Sequence, residues 1–131
     1  MAGNFTPKYG GFTVNMLVVT AAVEAGDPLK LGTNGVEEAG NGDTLFGIAM
    51  SDGAVGDLIA VWRPADGIFA APAATGVNFA LGDQAYLAAN GELDAGSSGN
   101  KSCGVVVDFD PASGASEVRV AFDPWGTFTH A

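Results

Sequence analysis

Apolar positions in this chain come in short runs, separated by small and turn-forming residues. Leu45–Met50 and Leu58–Trp62 are the plainest, with Ser51-Asp52-Gly53-Ala54-Val55-Gly56-Asp57 between them. Runs of this length bounded by Gly and Asp predict two strands joined by a tight connection. Each run follows a Gly-Asp pair, Gly42-Asp43 or Gly56-Asp57. The pair recurs at Gly26-Asp27 before Pro28–Leu31, and at Gly82-Asp83 before Gln84–Leu87. Gly supplies the positive φ a reversal needs, and Asp can bond the backbone two residues on. A turn followed by a short strand, several times over, is the pattern of a small barrel or sandwich.

The remaining segments extend that pattern. Thr13–Val23 is rich in β-branched residues and apolar on both faces after Asn15. Such a strand is buried between layers or packed against another subunit. Thr33–Asn41 reads as a loop or short excursion with a turn at Asn34-Gly35. Ile68–Ala74 reads as a strand broken at Pro72, and therefore as an edge. Thr75–Leu81 has room for one helical turn. Gln84–Ala88 and Glu92–Asp94 form a hairpin about Asn90-Gly91. Cys103, Val105, Val107 and Phe109 alternate with Gly104, Val106 and Asp108, while Val118, Val120 and Phe122 alternate with Glu117, Arg119 and Ala121. That double alternation predicts an antiparallel hairpin closing the domain. The expected fold is all-β, a small antiparallel β-barrel or β-sandwich over residues 13–122. An extended N-terminal arm (1–12), a C-terminal tail (123–131) and at most one short helix complete it. Residues 1–12 are either a frayed terminus or an arm lying on a partner, with aromatic anchors.

Composition narrows the partners. The 131 residues suffice for one domain with a real core, and 47 % are hydrophobic. Fifteen acidic residues against five basic ones give a formal charge of −10. A chain this acidic repels phosphate and anionic lipid, which argues against nucleic-acid and membrane partners. The single cysteine, Cys103, rules out an intramolecular disulfide. No stretch approaches the ~20 apolar residues of a membrane span. The N-terminus lacks the apolar core of a signal peptide, so synthesis in a cytoplasm is expected.

Catalytic chemistry is hard to assemble from these residues. The only histidine, His130, is penultimate and badly placed to activate a nucleophile. Cys103 opens an apolar strand and reads as a core residue. Most Asp residues adjoin Gly in turns, and Glu37-Glu38 reads as solvated surface. Asp108-Phe109-Asp110 spaces two carboxylates like the start of a calcium loop, but Ala112 stands where a third ligand belongs. Gly40-Asn41-Gly42 lacks the Lys-Ser/Thr of a phosphate loop. No metal site, cofactor or enzyme activity is expected. Trp62 ends a core strand and reads as packing. Trp125 lies in the tail, where it either contacts a partner or folds back.

Across Val14–Phe122 the chain resembles the capsid cement, or head decoration, proteins of tailed bacteriophages. A β-branched opening strand leads to AGDPLKLG, then to LFGIAMSDGAVGDLIAVW, GIFAAPA and FALGDQAYLAANGEL, and finally to CGVVV and EVRVAF. The resemblance implies a β-rich virion protein that adds to the outside of a matured shell, as a homotrimer, and clamps the major capsid protein against internal pressure. On that footing the N-terminal arm is the expected capsid-binding element, with Phe5, Tyr9 and Phe12 as anchors and Lys8 facing an acidic patch. Trp125 is a secondary contact. The alternative is a carbohydrate-binding or adhesin-like barrel, with Trp125 and Tyr86 stacking on sugar rings. A carboxylate-dependent hydrolase is a third and weaker reading.

Overall fold

Four turns of one construction set the frame. Glu24–Asp27, Gly40–Asp43, Ala54–Asp57 and Ala80–Asp83 each place Gly third, with φ of 84, 80, 92 and 88°. In each, the Asp amide donates to the carbonyl of the first residue, at 2.9–3.1 Å. Its carboxylate in turn accepts from that residue's N–H at 2.8–2.9 Å. A positive φ at the third position is what a type II turn requires, and Gly takes it without steric cost. The Asp therefore reaches three residues back rather than two residues on. Three of the four turns deliver the chain directly into a strand.

The computed structural model describes residues 5–9, 12–64, 67–74, 77–88, 92–96, 99–109 and 117–122. The strands among them are β1 (Thr6–Tyr9), β2 (Phe12–Val18), β3 (Pro28–Leu31), β4 (Val36–Glu38), β5 (Gly47–Ala49) and β6 (Leu58–Pro64), followed by β7 (Ile68–Pro72), β8 (Gln84–Leu87), β9 (Leu93–Asp94), β10 (Ser102–Phe109) and β11 (Glu117–Phe122). They form two sheets, β1-β7-β11-β10-β8-β9 and β2-β6-β5-β3-β4. All paired strands run antiparallel. The sheets do not close into a barrel, so the fold is a β-sandwich.

One core lies between the sheets. The six-stranded sheet contributes Phe69, Ala71, Ala85, Leu87, Cys103, Val106, Val118 and Val120; the other contributes Ile48 and Trp62. A second, smaller core of Val19, Val23, Leu29, Val36, Ala49, Ile59 and Val61 fills the opposite face of the five-stranded sheet. Segment 19–25 covers that face: Val19 bridges to Val36 and Val23 to Gly53. Ile59 and Val61 thus point one way from β6 and Trp62 the other, as alternation in a strand demands.

Several expectations are corrected. Thr33–Asn41 contains β4, whose Val36 is fully buried and whose Glu37 and Glu38 pair with Lys30 and Leu29. A three-residue strand carries too little periodicity to announce itself. β7 is not an edge but lies between β1 and β11. Its Pro72 is tolerated because β1 pairs only with Ile68–Ala70 and leaves that position open. Residues 77–81 are not helical. The β10–β11 hairpin exists but occupies the middle of its sheet. Its alternation is also broken: Cys103 and Val106 are buried while Val107 is exposed. The register shifts between Ser102 and Gly104 on the β8 side, next to Gly104 at φ 140°, and between Val106 and Asp108 on the β11 side. A bulge inserts a residue and exchanges the faces beyond it.

Candidate functional site

The N-terminal strand is built into the sandwich. β1 pairs with β7, and the Phe5 amide donates to the Gly26 carbonyl at 3.0 Å. The Phe5 ring is buried and stacks on Phe69, with centroids 5.4 Å apart and planes 14° from parallel. Phe69 meets Phe122 edge-on at 6.0 Å. Phe5 therefore serves the core in this structure and offers no surface to a partner. Lys8 is exposed. The backbones of Tyr9 and Phe12 lie in β1 and β2; their side chains, and the whole of Trp125, lie outside the described residues.

A larger apolar surface lies on the neighbouring sheet. β2 pairs with β6 so that Val14 opposes Trp62, Met16 opposes Ala60 and Val18 opposes Leu58. Directly opposed residues share a face. Ile48 opposes Trp62 on β5, and Met50 follows two residues on, its amide donating to the Ala60 carbonyl. Toward Ile48 and Trp62 this face is closed by the six-stranded sheet. Along β2 and toward Leu58 it runs out uncovered: Val14, Met16, Val18, Met50 and Leu58 are 42–58 % exposed. An apolar cavity of about 250 Å³, lined by Phe5, Ile48, Met50 and Trp62 among others, opens beside it. The expected contact residues do not include this group. The signal for it was present in the two-faced apolarity of Thr13–Val23.

Basic groups gather elsewhere. Lys30 and Lys101 line a second cavity of about 250 Å³ with Asp43 and Phe46. Lys30 pairs with Asp43 at 3.4 Å. Arg63 lies 4.1 Å over the Phe46 ring and donates from Nε to the Phe46 carbonyl at 2.9 Å. Three of the five basic residues thus surround Phe46. The arrangement can hold an acidic side chain or carboxylate.

The remaining polar groups have structural partners. Asp27 is buried, accepts from the Glu24 amide at 2.8 Å, and is held above the usual carboxylate range by that burial. Its Oδ1 is buried with no hydrogen-bond partner among the described residues. Asp108 bonds Arg119 at 3.2 Å, and Asp110 lies outside the described residues. Among the described residues no cluster of three or more His, Cys, Asp or Glu side chains is placed to hold a metal. Cys103 is buried, as a core residue would be. Tyr86 is also buried, so it presents no ring face to a sugar. Among the described residues no helix is long and apolar enough to cross a membrane.

A family model described as phage cement protein matches residues 10–122, a span running from the start of β2 to the end of β11. The chain belongs to the phage cement protein family. No curated protein matches it as a relative. Family membership gives the cement protein a structural, capsid-binding role and an association with the virion.

Proposed function

We propose that this cement protein binds the outer surface of a mature tailed-phage capsid as a homotrimer and stabilises the shell. The observation carrying this is the family match across the sandwich. Stabilisation would come from many modest contacts repeated by symmetry, each removing exposed surface from the intact shell and not from a ruptured one. The strongly acidic chain favours protein contacts over nucleic acid or membrane. Synthesis in the host cytoplasm is part of the proposal. No cofactor and no catalysis are part of the proposal.

Lys8, Tyr9, Phe12 and Trp125 remain the proposed capsid contacts. Phe5 supports them from within by docking β1 on β7. Deleting residues 2–12 would therefore disturb the fold as well as binding, and single substitutions test the contact more cleanly. Purified protein is added to shells lacking it, and bound copies are counted by quantitative mass spectrometry of the sedimented particles. A copy number in a simple symmetry ratio to the shell protein, lowered by Lys8→Glu or Tyr9→Ala, supports the proposal. Protein that stays in the soluble fraction overturns it.

A further inference from the structure

The inner face of the five-stranded sheet is an interrupted core. Ile48 and Trp62 are buried against the six-stranded sheet, while Met50, Leu58, Met16 and Val18 continue the same face into solvent. With Val14 beside them, these five apolar side chains, about half exposed, amount to several hundred Å², at the upper end of what a monomer carries. We infer that a second copy of this chain packs on this face. The inference rests on the multimeric part of the proposed function and names the surface that makes the contact.

Three observations select a second copy as the occupant. The first is charge. Each copy carries −10, so two copies repel except where they meet on neutral ground. Phe12–Val23 and Leu58–Trp62 contain no charged residue at all. Asp52 and Asp57 of the adjoining turn are engaged with the amides of Ala25 and Ala54.

The second is the edge. β2 ends its sheet, and among the described residues no strand pairs along its outer side. Exposed edges are normally blunted by Lys, Pro or a short strand. β2 is seven residues long and has neither Lys nor Pro. A neighbouring copy that covers the face can also satisfy the open N–H and C=O groups. The third is size. A stable contact buries about 800 Å² per partner. The exposed group supplies an apolar centre for such a contact, with Thr13, Asn15 and Ala60 beside it.

The test is the mass of the free protein by light scattering and sedimentation velocity. Variants are Met16→Lys, Leu58→Lys and, as a control, Leu81→Lys in the turn before β8. Wild type and the control should run as multimers of the 13.1 kDa chain, and the two face variants as monomers with unchanged far-UV circular dichroism. Amide exchange over Val14–Val18 should be slow in the multimer and fast in the monomers. A lysine variant that loses its fold is replaced by Met16→Gln with Leu58→Gln, with the same expectation. A monomeric wild type, or a multimer indifferent to both face substitutions, overturns the inference. Shell binding is measured separately. A monomeric wild type that binds shells sinks this inference and the homotrimer with it but leaves capsid binding standing, whereas a face-dependent multimer that ignores shells sinks the capsid proposal alone.

Discussion

Phe5→Ala tests whether the N-terminal segment belongs to the core. A Phe ring buries about 150–250 Å². At about 25 cal/mol per Å², that is about 4–6 kcal/mol as an upper bound. The bound is not reached, because β1 is only four residues long and can detach. Detachment returns about 1–2 kcal/mol of backbone entropy per residue, against the loss of the β1–β7 ladder. The cost of the substitution is therefore capped at the docking free energy of β1. We expect about 3 kcal/mol, at the low end for a buried Phe→Ala change. The assay is equilibrium unfolding in urea at neutral pH. Phe5→Leu should recover all but about 1 kcal/mol of the loss, since it nearly conserves volume. Lys8→Ala, on the exposed side, should change stability by less than about 0.5 kcal/mol. Proteolysis of the N-terminal segment should accelerate in the Ala variant alone. If Phe5→Ala unfolds within about 0.5 kcal/mol of wild type, β1 is not docked and the assignment of Phe5 to the core is refuted.

The remaining predictions concern the backbone and one buried charge. Gly104→Ala should cost about 3–5 kcal/mol in the same assay, combining left-handed backbone strain with overlap between the new Cβ and the Ala121 carbonyl oxygen. Asp57→Ala removes an exposed acceptor for the Ala54 amide and should cost about 1 kcal/mol, seen as a fall of a few degrees in Tm. Asp27→Asn keeps an acceptor for the Glu24 amide and removes a buried charge. Burial raises the folded-state pKa of Asp27 above the ordinary 3.8, so the folded state binds more protons there and wild-type stability falls as pH rises through that window. The stability of Asp27→Asn relative to wild type should therefore climb from pH 3.8 upward and then level off, as chemical denaturation across pH will show; a flat difference would contradict the burial effect.

The local grammar is legible in the residues alone. The Gly-Asp turns, the strands they launch, the β5–β6 pair and the hairpin of β10 with β11 all follow from residues within a few positions of one another. Turn geometry depends on a single φ and a single side-chain acceptor, and both are written in the residue type. The apolarity of Thr13–Val23 on both faces also announced a strand needing two covers. What supplies those covers depends on packing between distant segments. Segment 19–25 closes one face through the Val19–Val36 and Val23–Gly53 bridges, while the six-stranded sheet covers the other only as far as Trp62. Phe5 looked like a surface anchor because its neighbours are Gly, Asn and Thr, and its burial depends on Phe69, far along the chain. β7 became central because β1 adds beside it, and the bulge at Gly104 moved Val106 inward and Val107 outward. Pairing between distant strands fixes these outcomes. It depends on which surfaces remain unburied once the local pieces exist, and no short window of sequence contains that information.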